Sequence, residues 1–82
     1  MLFVFEEEAE RYFYMKNTPL PLDLIFIDAN KTVINIHKNA QPFDIASIAS
    51  NGEAQYVLEI KGGESEHLNI LLGMKIEYTT YE

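Results

Sequence analysis

The stretch DLIFIDANKTVINIH, residues 23–37, decides how the rest of the chain is read. DLIFID is apolar on both faces, with Leu24 and Phe26 on one and Ile25 and Ile27 on the other. A strand covered on both faces is central in its sheet. TVINIH alternates, placing Ile34 and Ile36 on one side and Asn35 and His37 on the other, the pattern of a half-buried strand. Only Ala29, Asn30 and Lys31 separate the two runs. Asp28 and Asn30 favour turn conformations, and Asn30 suits a left-handed position. The expectation is an antiparallel hairpin over residues 23–38 in the sheet interior, with Leu24, Phe26, Ile34 and Ile36 in the core.

Upstream, LFVF at 2–5 reads as a short strand, EEEAE as either one helical turn or, at least as readily, a solvated turn, and RYFYM at 11–15 as a second strand. Pro19 and Pro21 exclude a regular strand or helix across 18–21 and push Thr18 and Leu20 to extended conformations, so 16–22 is a loop. Downstream, residues 38–53 read as a long irregular connection, of a length that often carries function. QYVLEIK at 55–61 is a strand with Tyr56, Leu58 and Ile60 on one face and Val57, Glu59 and Lys61 on the other. ESEHLNIL reads as a short helix with Leu68 packed inward and Asn69 as a left-handed terminator. MKIEYTTY at 74–81 alternates again, with Met74, Ile76 and Tyr78 inward. The sum is a single domain over 1–82, mainly β, of about six largely antiparallel strands in a sandwich or barrel-like arrangement with one short helix.

Composition narrows the function classes. At 82 residues, 48% of them hydrophobic, the chain has material for one small core. No apolar run is long enough to cross a membrane as a helix, and no signal-peptide pattern is present, so the sequence reads as cytoplasmic and without membrane insertion. The absence of cysteine excludes disulfides, thiol catalysis and thiolate metal sites. A net charge of −7 with scattered lysines disfavours nucleic acid and anionic lipid.

Met15-Lys16-Asn17-Thr18, followed by Pro21-Leu22-Asp23 and Phe26-Ile27-Asp28, resembles the signature of an uncharacterised prokaryotic family, domain of unknown function 192. MLFVF, Asn39-Ala40-Gln41-Pro42, and Tyr56-Val57-Leu58-Glu59 with Gly62 and Gly73 resemble its other pieces in the same order. The resemblance implies a small β-rich fold and no established activity, so it supplies no functional residues. Tyr14 stands where the family usually has Trp, and Asn69 where Gly is usual. Family domains usually begin with a further strand, so the resemblance implies a version shortened at its N-terminus. Relatives are often exported or anchored, so the resemblance does not fix localisation.

Candidate site residues divide into a sharp set and a bland one. Lys16, Asn17, Thr18 and Asp23 on one loop, with Asn39 and Gln41 on the other, would suit a small polar ligand bearing a carboxylate or hydroxyl. The competing reading is structural: Asn17 bonding backbone groups, Asp23 acting as an acceptor, and Lys16 pairing with Asp23 to close a proline-locked loop. His37 and His67 stand apart, and no metal or cofactor is expected. Phe13, Phe26, Tyr56 and Tyr78 are core candidates, while Tyr12 and Tyr14 share a face that another strand is expected to cover. With no recognisable nucleophile and base, a noncatalytic ligand-binding or interaction domain is favoured over a small enzyme working through the two loops. An apolar edge strand at LFVF further predicts self-association as a homodimer or higher oligomer.

Overall fold

The computed structural model describes residues 1–77. It holds one open antiparallel sheet of strands β1 (Leu2–Phe13), β2 (Leu22–Ile27), β3 (Val33–Ala40) and β4 (Ile48–Lys61), in the spatial order β1-β4-β2-β3, and a short helix α1 (Glu64–His67). Four strands stand where about six are expected from the sequence, and β1 and β3 form two edges, so the sheet is not a closed barrel. LFVF and RYFYM are the two ends of one strand. The glutamates between them do not break it, because register shifts between Val4 and Ala9 and between Glu10 and Tyr12 absorb them as irregularities. The connection expected over 38–53 shrinks likewise, since β3 runs to Ala40 and β4 starts at Ile48. β4 is long enough to pair with β1 at one side and with β2, over Tyr56–Lys61, at the other.

β2 is the centre, as its two apolar faces require. Leu24 and Phe26 lie in a cluster with Met15, Ala40, Ile48, Ala54 and Val57, and Ile25 and Ile27 lie in a second with Val33 and Ile70. All four β2 residues are buried. The hairpin with β3 forms, but β3 is an edge strand rather than an interior one. Its alternation is also broken. Ile27 pairs with Val33 and Phe26 with Asn35, leaving Ile34 as the extra residue of a bulge. Ile34 therefore packs on the Phe26 side and Ile36 on the Ile25 side, and both are only half-buried. In the hairpin turn the left-handed residue is Lys31 (φ 63°), not Asn30. Asp28 Oδ1 accepts the amides of Asn30 and Thr32, each at 2.9 Å, which fixes the turn one residue later.

α1 ends as expected at Asn69, with φ 56°. The Ile70 amide reaches the Ser65 carbonyl at 2.9 Å and the Asn69 amide the Glu66 carbonyl at 3.0 Å, a Schellman closure. That closure buries Ile70 and leaves Leu68 exposed, the reverse of the expected packing. Of the expected last strand, the described part is extended: Thr32 bridges to Lys75 and the Val33 amide donates to the Met74 carbonyl. There Ile76 is half-buried and Met74 exposed, and Tyr78 lies outside the described residues.

Candidate functional site

Asp23 sits at the start of β2, has no exposed surface, and gathers three segments. Its Oδ1 accepts the Asn39 amide at 2.9 Å, from the end of β3. Its Oδ2 accepts the Gly63 amide at 3.1 Å, the Ser65 amide at 2.9 Å and the Ser65 hydroxyl at 2.6 Å. Burial pushes the Asp23 carboxyl up, but the Ser65 hydroxyl and the three backbone donors outweigh it, so the group stays ionised below the usual aspartate range. Gly63 offers α1 no capping side chain, and Asp23 supplies one from across the fold. Asn39 takes φ 53°, a turn that brings its amide onto the carboxylate. Gly62 is needed beside this junction: a Cβ there would stand 2.8 Å from Asn39 Oδ1 and 3.3 Å from the Pro21 carbonyl.

The rest of the sequence-derived set is arranged differently. Lys16 and Asn17 sit exposed at a turn closed by the Thr18 amide on the Met15 carbonyl, and neither side chain has a partner among the described residues. Lys16 does not pair with Asp23, and Asn17 does not bond backbone, because the loop satisfies its own main chain. The Met15 amide donates to the Asp44 carbonyl at 2.9 Å and the Phe43 amide to the Thr18 carbonyl at 3.1 Å. These two bonds bring the loops of Lys16 and Gln41 side by side. Thr18 is half-buried between them, and Gln41 Nε2 donates to the Asn39 carbonyl at 2.9 Å. Phe43, at φ 62°, is held in a left-handed conformation rare for a bulky residue, and it stands exposed with Tyr14, Leu20 and Ile45.

Two concave surfaces lie away from these loops. One, of about 390 Å³, opens beside β3 between Asn35, Ile36 and Lys38 and the segment Ile70–Leu72. Lys38 is paired there with Glu66 at 3.2 Å. The other, of about 420 Å³, lies at the irregular part of β1 and is lined by Phe3, Phe5, Glu10, Arg11, Tyr12 and Phe13. The sequence reading missed Arg11, which it took only as the start of a strand. The expected cover over Tyr12 and Tyr14 is absent: Tyr12 is exposed near the end of the edge strand β1 and Tyr14 just beyond it. No group of three or more metal-binding side chains occurs among the described residues, and none of their helices is long and apolar enough to cross a membrane.

An open antiparallel sheet with a buried aspartate junction and two joined loops defines a small, mainly β domain. The chain belongs to the DUF192 family, described as "Uncharacterized ACR", whose model matches residues 1–78. It is similar to a protein of unknown function from Novosphingobium aromaticivorans DSM 12444, at 38% identity with TM-score 0.90, over 95% of this chain and 56% of that one. It is also similar to a candidate transcription regulator from Sinorhizobium meliloti 1021, at 42% identity with TM-score 0.86, over 89% of this chain and 57% of that one. The chain thus spans a little over half the length of each solved relative. No curated protein matches it.

Proposed function

We propose that this domain is a noncatalytic interaction module that takes up a further strand on the outer edge of β1, a second copy of the chain being its partner. The observation that carries this reading is the contrast between the two sheet edges. On β3, the Asn35 side chain accepts the Ile36 amide at 2.9 Å, Lys38 is charged, and the Gly73 and Met74 backbone pairs with Val33. Such devices block strand addition. On β1, the stretch Leu2–Phe5 carries no charge, pairs regularly with β4 over Leu2–Val4 on one side, and is an edge on the other. Leu2 and Val4 are exposed beside half-buried Leu58 and Tyr56, so an added strand would extend an apolar face. The net charge of −7 opposes association of two copies, but salt screens it beyond ~8 Å.

Sedimentation equilibrium at micromolar concentration tests the reading. A concentration-dependent dimer that Val4→Lys abolishes supports it, and a wild-type monomer throughout that range overturns it. The regulator description of the Sinorhizobium relative does not carry to DNA binding here, because the lysines of this acidic chain are scattered. A second reading keeps a small polar ligand at Lys16, Asn17, Thr18 and Gln41, favoured by the unpartnered, exposed Lys16 and Asn17. Asp23 and Asn39 would then hold the loops in place beneath it.

A further inference from the structure

Arg11 is the only arginine of the chain, and among the described residues no carboxylate pairs with it, although four glutamates share its strand. It is half-buried rather than solvated. Its Nε donates to the Ala54 carbonyl at 3.2 Å, an Nη donates to the Glu7 carbonyl, and its guanidinium lies 3.8 Å from the centre of the Phe5 ring. These contacts hold the irregular stretch of β1 against β4, which is a structural role. They use two of the five N–H donors a guanidinium carries. The same side chain lines the cavity of about 420 Å³ whose other walls include the rings of Phe3, Phe5 and Phe13. Phe3 and Phe13 meet edge-to-face with centroids 5.3 Å apart, and Phe13 meets Phe26 in the same way at 6.0 Å, so this wall is anchored to the buried core.

The geometry points to a binding site for a small aromatic monocarboxylate at the irregular segment of β1, with Arg11 receiving the carboxylate and Phe3, Phe5 and Phe13 receiving the ring. The size falls in the usual range of small-molecule pockets, which are mostly apolar with a few placed polar groups. A planar guanidinium with free donors matches a carboxylate in two-point fashion, which a lysine at the same place does not. Ring-on-ring contact in edge-to-face or offset arrangement suits the phenyl wall. The acidic background sets the charge of the ligand. Glu10 lines the same cavity and the chain carries −7, so a polyanion such as a phosphate ester is repelled more strongly than a single carboxylate. Phe3 and Phe5 belong to the same β1 stretch as the proposed edge surface but alternate with its exposed Leu2 and Val4, and the three probes are compared on one and the same protein sample, whatever its oligomeric state.

The probes are 2-naphthoate, its neutral analogue 2-naphthylmethanol and its cationic analogue 2-naphthylmethylamine, titrated into 15N-labelled full chain and followed by amide shifts. The expected result is saturable binding of 2-naphthoate, with shifts centred on Phe3, Phe5, Arg11 and Phe13. The alcohol and the amine should bind on the order of tenfold more weakly. Arg11→Lys keeps the positive charge, and it should remove the preference for naphthoate over the alcohol. The assignment is overturned by any of three results: no saturable shift from naphthoate up to about 10 mM, equal binding of the alcohol or amine by the wild type, or shifts centred elsewhere. The wild-type comparison of the three probes stands even where the variant fails to fold.

Discussion

The two ends of the segment Lys16–Asp23 carry similar polar chemistry and have opposite fates. Asp23 is fully buried, with four hydrogen-bond donors converging on its carboxylate. Lys16 and Asn17, six or seven residues earlier, stand in water without side-chain partners. The difference comes from what surrounds each. Asp23 opens the central strand, where β3's end and α1's start both arrive with unpaired amides that burial would leave unsatisfied. Lys16 and Asn17 crown a turn whose own backbone is already paired with Met15, Phe43 and Asp44. A polar residue in a loop is thus a structural clamp where other segments bring orphan donors to it, and an available surface where they do not.

Removing the clamp tests that contrast most severely. Asp23→Ala leaves the Asn39, Gly63 and Ser65 donors without their acceptor, and each buried unsatisfied group costs ~1–3 kcal/mol. A loss of about 3–5 kcal/mol is expected, allowing for partial rehydration, read from the urea midpoint. An effect below about 1 kcal/mol would show that water replaces the carboxylate freely and that the junction is not a clamp. Gly62→Ala attacks the same junction sterically. Its Cβ meets the Pro21 main chain as well as the Asn39 side-chain amide, so about 1–3 kcal/mol of destabilisation is expected from overpacking.

Acid sharpens the comparison further. The folded pKa of Asp23 lies below its ordinary value of 3.8, so its contribution is fully present above that value. It is lost as pH falls from there through the lower folded pKa. Glu59 works in the other direction: burial raises its pKa despite the nearby N-terminal amine, so protonating it favours the fold as pH falls. Ser65→Ala removes one of the donors that hold Asp23 down. It should cost about 1–2 kcal/mol at neutral pH and narrow the acid loss, both measurable from urea unfolding at pH 7 and at pH about 3. An unchanged acid dependence in this variant would separate Ser65 from the ionisation of Asp23. The smallest effect belongs to the exposed end. Lys16→Ala and Asn17→Ala should each change stability by no more than about 0.5 kcal/mol, and a larger loss in either would place that side chain in the clamp.

The chain's periodicity made β2 legible, because a strand with Leu24 and Phe26 on one face and Ile25 and Ile27 on the other has no stable position except between two layers of cover. The Asn69 terminator, the proline-bounded loop and the family signature were legible for the same local reason: each depends on the backbone preferences or spacing of a few neighbouring residues. Strand number was not. Reading Glu6–Glu10 as a turn assumes that an unpaired acidic run breaks a strand, whereas an edge strand exposes those side chains and absorbs the excess length as irregular register. The bulge at Ile34 and the placement of the left-handed turn residue at Lys31 rather than Asn30 also depend on pairing partners that local sequence does not name. So do the four donors on Asp23, drawn from residues 16 to 42 positions away. The aromatic cavity around Arg11 needs β1 and β4 in register before it exists. Local sequence determined which residues prefer strand, turn or burial; only the tertiary structure decided which polar groups those preferences leave satisfied and which remain open to a partner, because hydrogen bonding between distant segments is settled when they pack together.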